Sequence, residues 1–209
     1  MAFAMLSRVS IRTILNSVFV TLAVALCVAL LVQIDAAWDR VGQARRISVL
    51  GVADRAVFEA MTTLRLRRGD IQTAALALDN PVANVNELHA GSAARFKEAV
   101  DSARRADVAG SRDLIAAAQS RWTQAEGLWR DIEALVAKPK AERDLKLSLP
   151  WYNTMGQVSE DLNKLSVAIA SEARISDPAV AEFIAVRQAA WTFRDYSGRE
   201  CAAMRLAVS

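Results

Sequence analysis

Residues 13–34 read TILNSVFVTLAVALCVALLVQI, a run of 22 residues without a charged side chain between Arg12 and Asp35. A helix of this length covers about 33 Å at about 1.5 Å per residue, which exceeds the roughly 30 Å hydrocarbon core of a bilayer. The rest of the sequence is rich in Arg, Asp and Glu and contains no second apolar run of this length. The pattern predicts one transmembrane helix, residues 13–34, followed by a polar body, residues 35–209.

The charges that flank the apolar run indicate its orientation. Before it the only charged side chains are Arg8 and Arg12, whereas two acids precede the first arginine on the other side. Positive charge in a short flanking segment favours the cytoplasmic side, so residues 1–12 are predicted to be a cytoplasmic arm and the body to lie outside. A cleaved signal peptide is the alternative. Signal peptides have a shorter apolar core and small residues at the cleavage site, whereas residues 34–36 read Ile-Asp-Ala, so a retained anchor is favoured.

Composition bears on the classes of function. The chain has 26 Lys and Arg, of which two precede the anchor, and all 23 acidic residues follow it, so the body carries 24 − 23, or about +1. A near-neutral body without a basic cluster is not expected to bind nucleic acid. Cys27 lies in the anchor, far from Cys201, and the lone His89 lies in a polar stretch and is predicted to be solvated. With no metal-ligand spacing and no phosphate-binding loop, we predict no enzyme activity, no cofactor and no metal.

Helical periodicity runs through the whole body. Apolar residues recur at spacings of three and four, alternation typical of strands is nearly absent, and prolines and turn residues separate the segments. The predicted helices cover residues 38–78, 84–106, 111–135, 151–175 and 178 onward, with Ser111 and Asp177 as N-caps, and the first is expected to continue the anchor. Short connections imply antiparallel neighbours. The predicted fold class is all-α, an N-terminal transmembrane helix continuing into an up-down antiparallel four-helix bundle.

Two arginine clusters are the candidate sites. The first, LRLRRGD, places Arg68 at an otherwise apolar position of its helix and Arg65 on a neighbouring face. The second, WTFRDYSGRE, contains Arg194 and Arg199 close to Trp191. The first and last helices of an up-down bundle are neighbours, so the two clusters can meet.

The arginines have two interpretations. They can extend their alkyl stems along the core and form ion pairs with Asp70, Asp195 or Glu200. They can instead bind an anion, because a planar guanidinium grips a carboxylate or similar oxyanion through paired hydrogen bonds and an aromatic ring such as Trp191 or Tyr196 can stack on the ligand. A buried charge without a partner costs several kcal/mol, which makes a cluster without a function unfavourable. Spacing alone leaves both interpretations open.

The order of these motifs resembles the N-terminal sensing region of bacterial methyl-accepting chemotaxis proteins, of the all-helical type that neighbours nitrate- and nitrite-sensing domains. The resemblance spans the anchor, LRLRRGD, the connection containing ERD, SDPAVAEF at the start of the last helix, and AWTFRDYSGRE. It implies an inner-membrane receptor with a periplasmic sensing body and a homodimeric state. It also implies ligand binding at Arg65 and Arg68, with Arg194 and Arg199 as second candidates; Trp191 completes the predicted ligand-binding set.

A complete receptor of this family has a second membrane helix, a relay linker and a cytoplasmic coiled coil, whereas this sequence ends at Ser209 without them. We therefore expect the sensing part of a receptor, truncated before a second transmembrane helix. The predicted function is extracytoplasmic sensing of a small, anionic solute by a transmembrane chemoreceptor. The alternative is a membrane-anchored helical-bundle protein that binds another protein and has no small-molecule ligand.

Overall fold

The computed structural model describes the backbone of residues 10–176 and 178–208, and their side chains except for residues 176–181, 195, 199, 201–203 and 205–208. Within these residues the fold is all-α, which confirms the predicted fold class at this level, and no strand is present. The described residues form five α-helices and two short 3-10 helices, Lys140–Glu142 and Leu145–Ser148. The α-helices are α1, Ile11–Ala77; α2, Val82–Ala106; α3, Ser111–Val136; α4, Leu149–Ser176; and α5, Pro178–Val208.

The chain divides into two compact units, with the boundary between Arg46 and Ile47. The first unit holds the apolar run, whose side chains are exposed along residues 13–34. Among the described helices, only α1 contains a stretch long and apolar enough to cross a membrane, and none of that stretch is buried. The bounds of α1 agree with the prediction that the apolar run and the first helix of the body are continuous.

The core of the second unit follows the apolar periodicity of α1, α3 and α4, whereas the predicted apolar positions of α5, Phe183, Val186, Ala190, Phe193 and Met204, are exposed. The apolar positions of α1 at spacings of three and four are buried, except that Leu78, predicted to belong to this seam, lies beyond the end of α1 and is exposed. Each fully buried aliphatic side chain contributes about 1.5–3 kcal/mol of transfer free energy. Core side chains with almost no exposure include Val57, Met61, Leu64, Met155, Val158, Leu162, Leu165 and Ile169.

A guanidinium caps the C-terminal end of α1. The Nη1 of Arg143 donates hydrogen bonds to the carbonyl oxygens of Ala75 (2.9 Å) and Leu78 (2.6 Å), and its Nη2 donates to that of Asp79 (2.7 Å). Its Nε donates to the carbonyl of Lys138 at 2.8 Å. The last carbonyls of a helix lack intrahelical partners and carry partial negative charge, so a cation satisfies both needs. Arg143 thereby fastens the α3–α4 connection to the end of α1.

The predicted helix starts need three comments. Ser111 is the first residue of α3 and not its N-cap; Gly110 occupies the cap position with φ of 74°, a left-handed conformation that favours glycine. Helix α4 begins at Leu149, before Pro150, and not at residue 151 as predicted. Pro150 is tolerated in the first turn because an N–H there has no helical hydrogen-bond partner. Asp177, the predicted cap of α5, lies outside the described residues.

The prediction that His89 is solvated is wrong. Its side chain is 14% exposed, its Nε2 lies 3.3 Å from Glu126 Oε1, and its ring stacks on Trp129 with centroids 3.7 Å apart. Trp122 lies nearly parallel to His89 and stacks on Phe96 with centroids 4.6 Å apart. These rings join α2 to α3 in a continuous aromatic stack.

Candidate functional site

A cavity of about 330 Å³ lies among α1, α4 and α5 in the second unit. The two predicted arginine clusters both contribute to it, because Arg65 and Arg68 line it from α1 and Arg194 lines it from α5. Among the described side chains, three of the five predicted ligand-binding residues therefore line one cavity. The other lining residues are Leu66, Gly69, Asp70 and Thr73 of α1, Tyr152 of α4, and Ser197 and Gly198 of α5.

Arg65 is 9% exposed and lies against α5. Its Cζ is 5.5 Å from the ring centroid of Trp191, within the distance at which a cation is attracted to an aromatic face. Its Nη2 lies 2.8 Å from the position that a Cβ on Gly198 would take, so the absence of a side chain at Gly198 permits this approach. Helix α5 thus contributes both a ring and a bare backbone surface to Arg65.

Trp191 supports an arginine and does not line the cavity among the described residues. It lies seven residues after Ile184, and both side chains are on the buried face of α5. Its ring also makes an edge-to-face contact with Phe58, with centroids 5.9 Å apart. Stacking of a ligand on Trp191 or Tyr196 stays a prediction. Tyr196 is exposed and is not among the lining residues.

Arg68 is held against α4. Its Cζ lies 4.4 Å from the ring centroid of Tyr152, and its Nη1 donates a long, weak hydrogen bond of 3.4 Å to the Tyr152 carbonyl oxygen. One turn later, Gly156 has no side chain where the Arg68 guanidinium lies, and a Cβ there would overlap it. A guanidinium has five N–H donors in one plane, so a ring against its face does not compete with hydrogen bonds at its edge.

Arg194 differs from the other two arginines because its side chain is exposed at the rim of the cavity. Arg199, the fourth predicted arginine, belongs to α5, but its side chain lies outside the described part of the chain, so its role stays a prediction.

The charge of the lining is unbalanced. Among the described lining residues, three guanidinium groups and one carboxylate, that of Asp70, give 3 − 1, or a net charge of +2. The hydroxyl-bearing residues Thr73, Tyr152 and Ser197 add neutral polar groups. A concave surface with like charges on low-dielectric walls concentrates its electric field and attracts ions of the opposite sign. The lining is therefore suited to an anion.

Several lining residues escaped prediction from the sequence. Ser197 follows Arg194 by three residues on one helix, and Thr73 follows Arg65 by eight, so helical spacing alone places each on the face of an arginine that was singled out. Tyr152 of the lining, and Gly156 beside Arg68, had no such signal, because spacing within one helix does not reveal which residues of another helix it meets.

Neither a metal site nor a similarity to known proteins adds to the functional argument. Within the described residues, no group of three or more His, Cys, Asp and Glu side chains is placed to hold a metal ion. Comparison of the chain with models of protein families, with curated proteins and with solved structures finds no match. The functional argument accordingly rests on the cavity and its charges.

Proposed function

We propose that this chain is the extracytoplasmic ligand-sensing part of a transmembrane chemoreceptor, and that the cavity binds a small anionic solute. The observation that carries the proposal is the meeting of Arg65, Arg68 and Arg194 around one cavity of about 330 Å³. An anion in the cavity would be attracted by these guanidinium groups. Guanidinium groups bind carboxylates and related oxyanions through paired hydrogen bonds.

The size of the cavity limits the ligand. Ligand pockets typically measure about 300–1,000 Å³, so this cavity lies at the lower end of that range. A small organic acid or an inorganic oxyanion with bound water suits this volume. Hydroxyls of Thr73, Tyr152 and Ser197 are the neutral groups available to orient such a ligand.

The proposal extends to the architecture of the receptor. Residues 13–34 would cross a bacterial inner membrane, with residues 1–12 in the cytoplasm and the body in the periplasm. Exposed apolar side chains along the run and the positive charge before it support this placement. The body would be an up-down antiparallel four-helix bundle that works as a homodimer. An anion that contacts both α1 and α5 would favour one position of α5 against α1, which would be the signal.

An anion screen on the full-length chain in detergent micelles tests the function. Nitrate, phosphate, acetate and succinate are titrated as sodium salts at constant ionic strength, and the melting temperature is followed by circular dichroism. A ligand at 100 times its Kd stabilises the folded state by about 2.7 kcal/mol. For a chain of this length that corresponds to a shift of about 5–11 °C.

Arg68→Ala and Arg112→Ala complete the design. The Arg112 side chain is 88% exposed on α3 and forms an exposed ion pair with Asp107 at 3.6 Å, so its removal is a control for the loss of one positive charge. The ligand-induced shift should disappear in Arg68→Ala and persist in Arg112→Ala. Failure of every anion to raise the melting temperature would contradict the proposal, and collapse of the Arg68→Ala fold would favour a structural role for this arginine.

A membrane-anchored interaction protein is the second candidate, and exposed apolar side chains on α5 favour it. Phe183, Val186, Phe193 and Met204 are 63–81% exposed and follow each other at intervals of three, seven and eleven residues. Such a seam is typical of a surface that packs against another helix. If Phe193→Glu abolished binding of a protein partner while no anion had any effect on stability, this candidate would replace the sensor.

A further inference from the structure

A cluster of hydrogen-bonded polar side chains connects α1, α4 and α5 at Arg187, which precedes the cavity-lining residues of α5. Arg187 of α5 forms a two-bond ion pair with Asp54 of α1, in which Nη2 lies 2.7 Å from Oδ1 and Nη1 contacts Oδ2. The hydroxyl of Ser166 on α4, with no exposed surface, donates to Asp54 Oδ1 at 3.0 Å. Gln188 donates to the same Ser166 hydroxyl at 3.3 Å. The cluster thus fastens α5 to both α1 and α4.

A series of side-chain contacts leads from this ion pair to the cavity. The Cζ of Arg187 lies 4.6 Å from the ring centroid of Phe58, and Phe58 meets Trp191 edge to face at 5.9 Å. Trp191 in turn lies beneath Arg65 at 5.5 Å, and Arg65 lines the cavity. Every step in this series is a direct contact between named side chains.

The position of Arg187 on α5 lets the ion pair influence the cavity wall, meaning the lining residues Arg194, Ser197 and Gly198 of the same helix. Arg187 precedes Arg194 by seven residues, two helical turns or about 10.5 Å along the axis, so both lie on nearly the same face. The side chains of Phe183, Val186 and Phe193 on α5 are exposed. Directional bonds at Arg187 therefore fix the rotation and the axial position of α5, which apolar contacts alone define less sharply.

We propose that Asp54 and Arg187 are positioning residues of the cavity. Their ion pair holds α5 in the register that sets Arg194, Ser197 and Gly198 opposite the arginines of α1, although neither member of the pair lines the cavity. Without the ion pair, α5 can shift against α1, so that the cavity spends less time in the geometry that binds an anion. The effect on ligand affinity rests on the proposed function, whereas the effect on the wall does not.

Hydrogen exchange followed by mass spectrometry, on the full chain in detergent, tests whether the Asp54–Arg187 ion pair fixes the position of α5 at the cavity. Asp54→Asn keeps the size of the side chain and removes its charge. Amides in residues 188–200 should exchange about tenfold faster or more in this variant, and those of α2 and α3 at the wild-type rate. Arg187→Lys keeps the positive charge and loses the paired hydrogen bonds, so we expect an intermediate increase in the exchange rate of residues 188–200. This variant replaces Asp54→Asn in the test if Asp54→Asn does not fold.

Arg55→Ala is the matched control, because Arg55 is adjacent to Asp54 and forms an exposed ion pair with Glu59 at 2.8 Å. Exchange in residues 188–200 should be unchanged in this variant. Unaltered exchange in both Asp54→Asn and Arg187→Lys, or an equal increase in α2 and α3, would overturn the proposal.

Affinity for succinate, measured by isothermal titration calorimetry well below the melting temperature, separates positioning from general stability. Asp54→Asn should raise the Kd about tenfold or more, and Arg55→Ala should leave it unchanged. Faster exchange with an unchanged Kd would show a merely stabilising pair and overturn the positioning role. If the wild-type chain binds none of the anions, the proposed function fails, and the exchange result alone decides whether the pair holds the wall.

Discussion

Alanine at position 156 would place one methyl group where the Arg68 guanidinium lies. The obstructing atoms are the end of a flexible side chain, so Gly156→Ala should displace the guanidinium and leave the α4 backbone in place. The guanidinium would then leave the Tyr152 ring, whose centroid is 4.4 Å from its Cζ. Gly127 provides the matched control, since it is exposed in the middle of α3 and a Cβ there would meet no atom within 4 Å.

The magnitude follows from two opposing terms. Replacing glycine by alanine inside a helix stabilises the fold by about 0.5–1 kcal/mol, and Gly127→Ala should gain this in full. Gly156→Ala should gain the same amount and lose a cation–π contact worth about 0.5–2 kcal/mol. We therefore expect Gly156→Ala to be about 1 kcal/mol less stable than Gly127→Ala, a difference of about 2–4 °C in melting temperature.

A double-mutant cycle with Arg68→Ala identifies the cause. In that background the guanidinium is absent, so Gly156→Ala should stabilise the chain as much as Gly127→Ala does, with a coupling energy of about 1 kcal/mol between positions 68 and 156. Thermal unfolding of the full-length chain in detergent gives all values. Equal stabilisation by the two alanines in the wild-type background, or the same deficit with and without Arg68, would refute the contact on which this reasoning depends.

The remaining predictions concern three other contacts. Arg143→Ala removes four hydrogen bonds to carbonyl groups and should lower stability by about 1–3 kcal/mol, with Arg112→Ala near the wild-type value; equal melting temperatures would contradict the cap. His89→Ala opens the aromatic stack and should destabilise by about 1–3 kcal/mol, whereas His89→Phe keeps a ring and should retain most of that stability. Arg55 lowers the pKa of Glu59 chiefly through its hydrogen bond, so the pair stabilises the fold above the ordinary glutamate pKa and loses this contribution as pH falls. Arg55→Ala should accordingly lose slightly less stability than wild type between about pH 6 and pH 3.

Much of the fold could be predicted from sequence because helical periodicity and proline positions are local signals. The apolar spacing of Val57, Met61 and Leu64 indicates which face of α1 is buried, and Pro81 marks where α1 must end. His89 shows how a local signal misleads. Its immediate neighbours are polar, but it lies four residues after Val85 and seven before Phe96, a spacing that places all three on one buried face.

The candidate site was predictable in part for a related reason. A charged residue at an apolar position singles out Arg68 on its own helix, and the order of helices indicates that the first and last are neighbours. The ring of Tyr152 and the glycine Gly156, which contact Arg68, both come from α4. Asp54 and Arg187, which form an ion pair, are 133 positions apart in sequence. Such partners depend on the rotation and axial register of packed helices, which a single sequence does not encode in any local pattern.

Arg194→Gln tests the central claim, that the arginine cavity binds a small anion, most directly. The Arg194 side chain is exposed at the rim, so its replacement should leave the melting temperature without ligand unchanged. Hydrogen bonds to charged groups contribute about 1.5–3 kcal/mol, so calorimetric titration with the tightest-binding anion of the panel should show a Kd increase of about tenfold or more. Arg112→Gln should bind like wild type. An affinity for that anion that is the same in Arg194→Gln and in wild type would contradict the account.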